Sequence, residues 1–289
     1  MMATKVFQRI LAIFLVVASL FLANGVAQAD PHQDIQKYTA QIAKNPNDAD
    51  AYNNRGNAYF ELGQYERAIQ DYDKAIQFNP NYANAYNNRG ATYMDGFKQY
   101  ERAIQDYDKA IQLNSNFAIA YCGRGNAYQG LQQYEQAVQD YDKAIQLNSD
   151  FARAYYNRGI AHGRLNQYEQ AIQDFNKVIK LNPDDTSAYT SRGYAYNQLG
   201  QYERAIQDCN KVIELDPNNA KAYNNRGFSY LMLYNFKQAI ADVSKGIELE
   251  PNDPTMYQFR GLCYQALIED AEAKAQADFE KAKELGYKE

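Results

Sequence analysis

The stretch Ala49 to Tyr82, ADAYNNRGNAYFELGQYERAIQDYDKAIQFNPNY, is copied until the chain ends, and this repetition limits what the chain can fold into more than any other property. Gly56, Gly90, Gly125, Gly159, Gly193, Gly227 and Gly261 fall 34 residues apart, with one 35-residue step between Gly90 and Gly125. Ala68, Ala103, Ala137, Ala171, Ala205, Ala239 and Ala275 follow these glycines by twelve residues or so, the last after two extra residues. A period of this length means a solenoid or an array, quasi-one-dimensional and without need of a central core. The 289 residues therefore read as one continuous domain rather than two.

Within a unit the period is helical. Tyr52, Arg55, Gly56 and Tyr59 recur at three and four, as do Ala68, Ile69, Tyr72, Ala75 and Ile76. Each unit reads as two antiparallel helices, which makes the chain all-α. Gly63 is placed to close the first helix in the left-handed conformation. Asn79-Pro80 stops the second, because proline disfavours helix in the residue before it. Small residues at Gly56 and Ala68 let the two helices approach closely. The seven units span 49–82, 83–117, 118–151, 152–185, 186–219, 220–253 and 254–289, the second carrying one extra turn residue near Asp95-Gly96.

This pattern resembles the tetratricopeptide repeat, whose unit carries W-x2-L-G-x2-Y, A-x3-F, A and P. Tyr52 stands where the family often has Trp, and Gly56, Tyr59, Ala68, Tyr72, Ala75 and Pro80 match directly. Arg55 departs, since the family favours leucine there. The resemblance covers 49–289. It implies a right-handed superhelix of helix pairs, an α-solenoid, whose concave groove holds protein or peptide partners.

The formal charge of -5 argues against a nucleic-acid partner, which would want a basic stripe. Of the 27 tyrosines, 21 occupy the positions of Tyr52, Tyr59, Tyr65 and Tyr72 or their copies, so core and hairpin packing accounts for most of them. An arginine and an aspartate also recur in every unit, from Arg55 with Asp71 to Arg226 with Asp242 and Arg260 with Asp278. In a hairpin turning near Gly63 the two lie at one level, and a partly buried bidentate pair is expected.

The chain opens with Lys5 and Arg9, a short apolar run from Ile10 to Leu22, and Ala27-Gln28-Ala29. This reads as a secretory signal of residues 1–29 with an A-x-A cleavage site. The apolar run is shorter than the roughly 20 residues of a membrane span, so no stable membrane insertion is expected after cleavage. The mature protein, periplasmic or secreted, should begin at Asp30. Residues 30–48 match the second helix of a unit, with Ile35, Tyr38 and Ile42 at core spacing and Pro46 as stop, and read as a half-repeat cap. In the last unit Phe279 and Ala282 keep the core register, whereas Glu269, Asp270, Glu272, Lys274 and Glu280 suit an exposed cap. No separate solvating helix follows, which leaves that end open to another chain and a homo-oligomer conceivable.

No catalytic chemistry is legible. His32 and His162 lack the companions a metal site requires, and no phosphate loop, nucleophile elbow or paired-acid cleft occurs. No cofactor is implied. Cys122, Cys209 and Cys263 lie two units apart, too far for bridges, and are expected as free thiols. Cys209 and Cys263 sit at core positions, while Cys122 is expected on the groove side, where a reactive role is conceivable.

On the first helix of unit one, Asp50, Asn53, Asn57 and Phe60 form a stripe turned away from the core, which in the family lines the concave face. Its copies change along the chain. Asn53, Asn57, Asn84, Asn87 and Asn126 make the front polar, able to hydrogen-bond an extended backbone or a sugar. Tyr156, Ile160, Tyr194, Phe228, Leu231, Met232 and Leu262 make the back aromatic and aliphatic, with Arg153 and Arg164 beside it and Asn224 among the groove positions. Family members that grip a C-terminal carboxylate use a lysine and arginine set, but Ile119 and Gly123 occupy the matching places here. The expected function is a non-catalytic scaffold or assembly factor. A self-assembling structural array and a polysaccharide-binding module of an export system stand as alternatives.

Overall fold

The computed structural model describes residues 30–284, in which fourteen helices and no strands occur. The signal reading of residues 1–29 lies outside the described residues. A solenoid has no central core to hold all its units together, and the chain divides into two compact units, Met1–Leu113 and Asn114–Glu289.

In the first unit, α1 (Pro31–Lys44) packs on α2 (Ala49–Glu61), which forms a hairpin with α3 (Tyr65–Phe78); α4 (Ala83–Phe97) stacks on α3 and pairs with α5 (Tyr100–Leu113). The second unit contains the hairpins α6 (Ala118–Gly130) with α7 (Tyr134–Leu147), α8 (Ala152–Arg164) with α9 (Tyr168–Leu181), α10 (Thr186–Gln198) with α11 (Tyr202–Leu215), and α12 (Ala220–Met232) with α13 (Phe236–Leu249). The last helix, α14 (Pro254–Glu284), packs on α13. Within each unit the first helices of consecutive hairpins also touch one another, while the second helices make no comparable contact. Each stack is therefore tighter on its first-helix side, which is its inner face.

The hairpins close where the repeat places small residues. Ala68, Ala103, Ala137, Ala171, Ala205 and Ala239 are buried, as are Tyr72, Tyr107 and Tyr141. A Cβ on Gly56 would meet Tyr72 Cε1 at 2.7 Å, and one on Gly125 would meet Tyr141 Cε1 at the same distance, so the helices touch through the missing side chain.

Each turn needs one left-handed residue, and glycine supplies it only at Gly63 and Gly200. Lys98, Gln132, Asn166 and Tyr234 take the same conformation in the other four hairpins. In the second copy the extra residue lengthens the helix, α4 reaching Phe97 before Lys98 turns. Gly96 thus lies in the helix, where its missing side chain makes room for Tyr65, whose Cγ would stand 2.6 Å from an added Cβ.

The seventh copy corrects the expectation of two helices in every unit. Residues 254–284 form one continuous helix of 31 residues. The matching turn residue is Ile268, a β-branched side chain that the left-handed region excludes most strongly, and alanine, glutamate, lysine and glutamine around it favour helix. The core register expected for Phe279 and Ala282, and the pair of Arg260 with Asp278, lie outside the described side chains.

At the other end, α1 has no buried residue. Asp34, Lys37 and Gln41 stand where other second helices place Ala68, Asp71 and Ala75. A helix that meets its own first helix needs the small set, whereas this polar set suits water.

Candidate partner-binding surface

The arginine–aspartate ladder forms as paired forks. Arg55 donates from Nε and Nη2 to Asp71 at 2.8 and 2.7 Å, and Arg226 does the same to Asp242 at 2.7 Å for both bonds. Arg89 with Asp106, Arg124 with Asp140, Arg158 with Asp174 and Arg192 with Asp208 repeat it. Most of these guanidiniums also reach back to the preceding second helix. Nη1 of Arg55 meets Thr39, that of Arg89 meets Asp73, that of Arg158 meets Asp142, that of Arg192 meets Asn176 and that of Arg226 meets Asn210. Within each unit the ladder thus stitches hairpins to their neighbours as well as closing them, and these arginines are spent on structure. Arg260 donates from Nη1 to Ser244 at 3.2 Å.

In the first unit the polar stripe is largely committed to the stack. Asn53 is only 4% exposed and Asn87 only 8%. Asn57 Oδ1 accepts from Tyr72 Oη at 2.9 Å and from Asn88 Nδ2 at 3.0 Å, and Asn88 also donates to Asn53 Oδ1 at 3.1 Å. Asp50 accepts from Tyr82 Oη at 2.5 Å. One buried acceptor, Asn87 Oδ1, has no hydrogen-bond partner. Of the expected free row of hydrogen-bonding asparagines, Asn84 is exposed, while Asn53 and Asn57 are interior ties, because they face α4 rather than open solvent.

The same economy begins the second unit. Asn126 Oδ1 accepts from Tyr141 Oη at 2.8 Å and from Asn157 Nδ2 at 2.7 Å. Cys122, expected on the open groove side, is 1% exposed, and desolvation pushes its thiol up to about 11. It remains a protonated, sheltered thiol at neutral pH. All three cysteines are buried and free, and desolvation pushes Cys209 up to about 12.

Beyond this point the chemistry changes. Phe175 replaces the tyrosine that reached an asparagine in earlier copies, and Ile160 replaces that asparagine. Cys209 and Val243 then shrink the second-helix residue while Tyr194 and Phe228 enlarge the first-helix one. The inner face of α8, α10, α12 and α14 consequently exposes apolar groups: Tyr194 is 52% exposed and Leu262 53%, with Phe228 and Met232 also exposed. Ile160 and Leu231 are half-buried beside them, and Phe228 lies 6.4 Å from Phe259 between ring centroids. Tyr156 is half-buried, 5.8 Å from the Phe175 ring and 3.3 Å from Ser191 Oγ. Asn224, half-buried, holds a buried Oδ1 without a hydrogen-bond partner.

Between α8 and α10 this face opens into a cleft of about 360 Å³, floored by Phe175, Ala171 and Ile160 and walled by Tyr194, Ser191 and Arg164. Gly163 creates it. The other copies carry Phe60, Met94, Gln129, Asn197, Leu231 and Gln265 at this position, while a Cβ on Gly163 would meet nothing within 4 Å. Gly163 and Phe175 escaped the sequence-derived set, although a glycine at a position otherwise filled by a side chain was the available signal. Arg164 and Arg153 are exposed, Arg153 lying over the Phe151 ring. His162 Nδ1 sits 2.7 Å from Gln167 Oε1, with Asp174 3.9 Å from the other ring nitrogen. No cluster of three metal-ligating side chains and no helix long and apolar enough to cross a membrane occurs among the described residues.

Stacked helix hairpins with a varied inner face over a constant core define an α-helical repeat scaffold for protein interactions. Family models described as TPR repeat match residues 56–96, 98–132, 130–166 and 193–233, and others described as tetratricopeptide repeat match 38–70, 152–185, 175–207 and 220–253. The chain belongs to the tetratricopeptide repeat family. No curated protein matches it by sequence. Among solved structures it is similar to a chain of the APC/C hetero-tetramer Cut9-Hcn1, with TM-score 0.66 and 17% identity over 81% of this chain and 46% of that one, so it spans about half of that relative. It is also similar to YrrB, described as a TPR protein with an unusual peptide-binding site, with TM-score 0.58 and 29% identity over 66% of this chain and 97% of that one. MamA is a third, with TM-score 0.53 and 30% identity over 57% of this chain and 96% of that one.

Proposed function

We propose that this protein is a non-catalytic scaffold that holds a peptide segment of a partner protein on the inner face of α8, α10, α12 and α14. The observation that carries this reading is the exposure of Tyr194, Phe228, Met232 and Leu262 in one row beside the Gly163 cleft. Each such side chain, left about half in water, forgoes about half of the roughly 1.5–3 kcal/mol that full burial supplies. A row of them on a concave surface is what a segment with apolar anchors at helical or extended spacing would cover. The peptide-binding description of YrrB points the same way. The polysaccharide alternative loses support, because Asn57 and Asn126 already spend their acceptor oxygens on tyrosine and asparagine neighbours.

The test is a displayed peptide library selected on the protein, followed by calorimetry on the selected sequence. Alanine at Tyr194 or at Phe228 is expected to weaken binding by about 2 kcal/mol each while leaving the melting temperature nearly unchanged. Normal binding by both variants would sink this reading.

A further inference from the structure

We propose that two copies of this chain pair through α14, each supplying the second helix that the other's seventh repeat lacks. The first half of α14 is a first helix without its mate. Every other described signature glycine has side-chain or backbone atoms of its own second helix within 4 Å of an added Cβ, but Gly261 has nothing there. Tyr264 is 49% exposed, whereas Tyr196 at the same position of unit five is 4% exposed. Tyr257 and Ile268 are exposed on the same side.

The missing mate is nevertheless written in the chain. Ala275, Asp278, Phe279 and Ala282 repeat the sequence signature of Ala68, Asp71, Tyr72 and Ala75. One continuous helix cannot lay its second half against its own first. In a continuous helix Gly261 and Phe279 stand about 27 Å apart along the axis, and Ile268 blocks the left-handed turn that would fold one half onto the other.

A second copy removes the difficulty. In the hairpins, first- and second-helix partners sum about the turn: Arg55 and Asp71 flank Gly63 symmetrically, and Arg226 and Asp242 flank Tyr234. Arg260 and Asp278 likewise flank Glu269, each one residue further from the centre. Two antiparallel α14 helices related by a twofold axis at that level would bring Arg260 of each opposite Asp278 of the other. Tyr257, Gly261, Tyr264, Ile268, Ala271, Ala275, Asp278 and Ala282 follow one another at alternating steps of four and three, a heptad stripe suited to a left-handed helix pair. Two complementary halves whose connection stays straight can satisfy each other only by reciprocal exchange, and twofold closure ends the assembly at a dimer.

Light scattering behind size exclusion, with the melting curve recorded in parallel, tests this on the purified chain. The expected result is a dimer, with Tyr264→Glu raising its dissociation constant at least about tenfold and leaving the melting curve of the monomer in place, since Tyr264 is exposed. A second variant carries Tyr264→Cys with Lys274→Cys, positions that also flank Glu269 symmetrically. A bifunctional maleimide should join two chains into one covalent dimer, the three native thiols being buried. A monomer at all concentrations, a dimer indifferent to Tyr264→Glu, or a link formed within a single chain would each overturn the proposal.

Discussion

Arginine at the position where the family favours leucine sets the chemistry of this array. Arg226 forms a two-pronged contact with Asp242 and reaches Asn210 with its remaining nitrogen, all while its side chain is 19% exposed. The hydrogen bond to Asp242 raises its pKa. A raised cation contributes stability below its unfolded range and loses it only in strong alkali, so the arginine side of the ladder is silent across physiological pH. Removing the charge at Arg226 or at Asp242 alone strands its partner in a partly buried site, at a cost of about 3–5 kcal/mol at most. Replacing both is expected to cost less than the two singles together. Strict additivity in chemical denaturation would argue against the pair. The pairing itself was legible from sequence, since an invariant spacing about a turn puts two residues at one level. The reach to the preceding second helix was not, because it depends on how one hairpin stacks on the next.

At the level of the helix, two glycines of α-helical position have opposite duties. Gly56 lies against Tyr72, so Gly56→Ala forces the ring aside at about 1–3 kcal/mol, read as a lower denaturation midpoint. Gly163→Ala meets nothing and exchanges a poor helix former for a good one, so the same measurement should show a gain of up to about 1 kcal/mol. Gly163→Leu fills the cleft and should cost affinity for a selected peptide without costing stability. The helices and their register were readable because the period and the small residues repeat. Of the proposed binding face, the exposure of its apolar half was readable and that of its polar half was not. Tyr194, Phe228, Met232 and Leu262 are where amphipathic spacing puts them, whereas Asn53, Asn57, Asn87 and Asn126 look just as exposed on a helical projection yet are drawn inward by tyrosine hydroxyls and neighbouring asparagines. The seventh copy, a single helix, carries Ile268 at the place where Lys98, Gln132, Asn166 and Tyr234 show that glycine is dispensable, and a β-branched side chain is the kind the left-handed region disfavours most.

For the molecule as a whole, Lys5, Arg9, the apolar run and Ala27-Gln28-Ala29 lead us to propose export with cleavage before Asp30. Terminal sequencing of the protein from its native envelope should begin at Asp30, and an intact amino terminus held in the membrane fraction would refute it. Asp30 is also the residue whose carboxylate caps α1 by accepting from His32 N at 3.0 Å, so the chain would start on a closed helix end. The backward reach of the arginines has a mechanical meaning. A stack pulled along its length carries the load through its joints in series, and the one with the weakest tie yields first. Within residues 114–289 that tie passes from a carboxylate at Asp142, through the amides of Asn176 and Asn210, to the hydroxyl of Ser244. Arginine meets a full opposite charge at Asp142 but only neutral oxygens at Asn176, Asn210 and Ser244, the last at a longer 3.2 Å, so tension would peel this stretch from its carboxyl end while the hairpins nearer Asp142 still held.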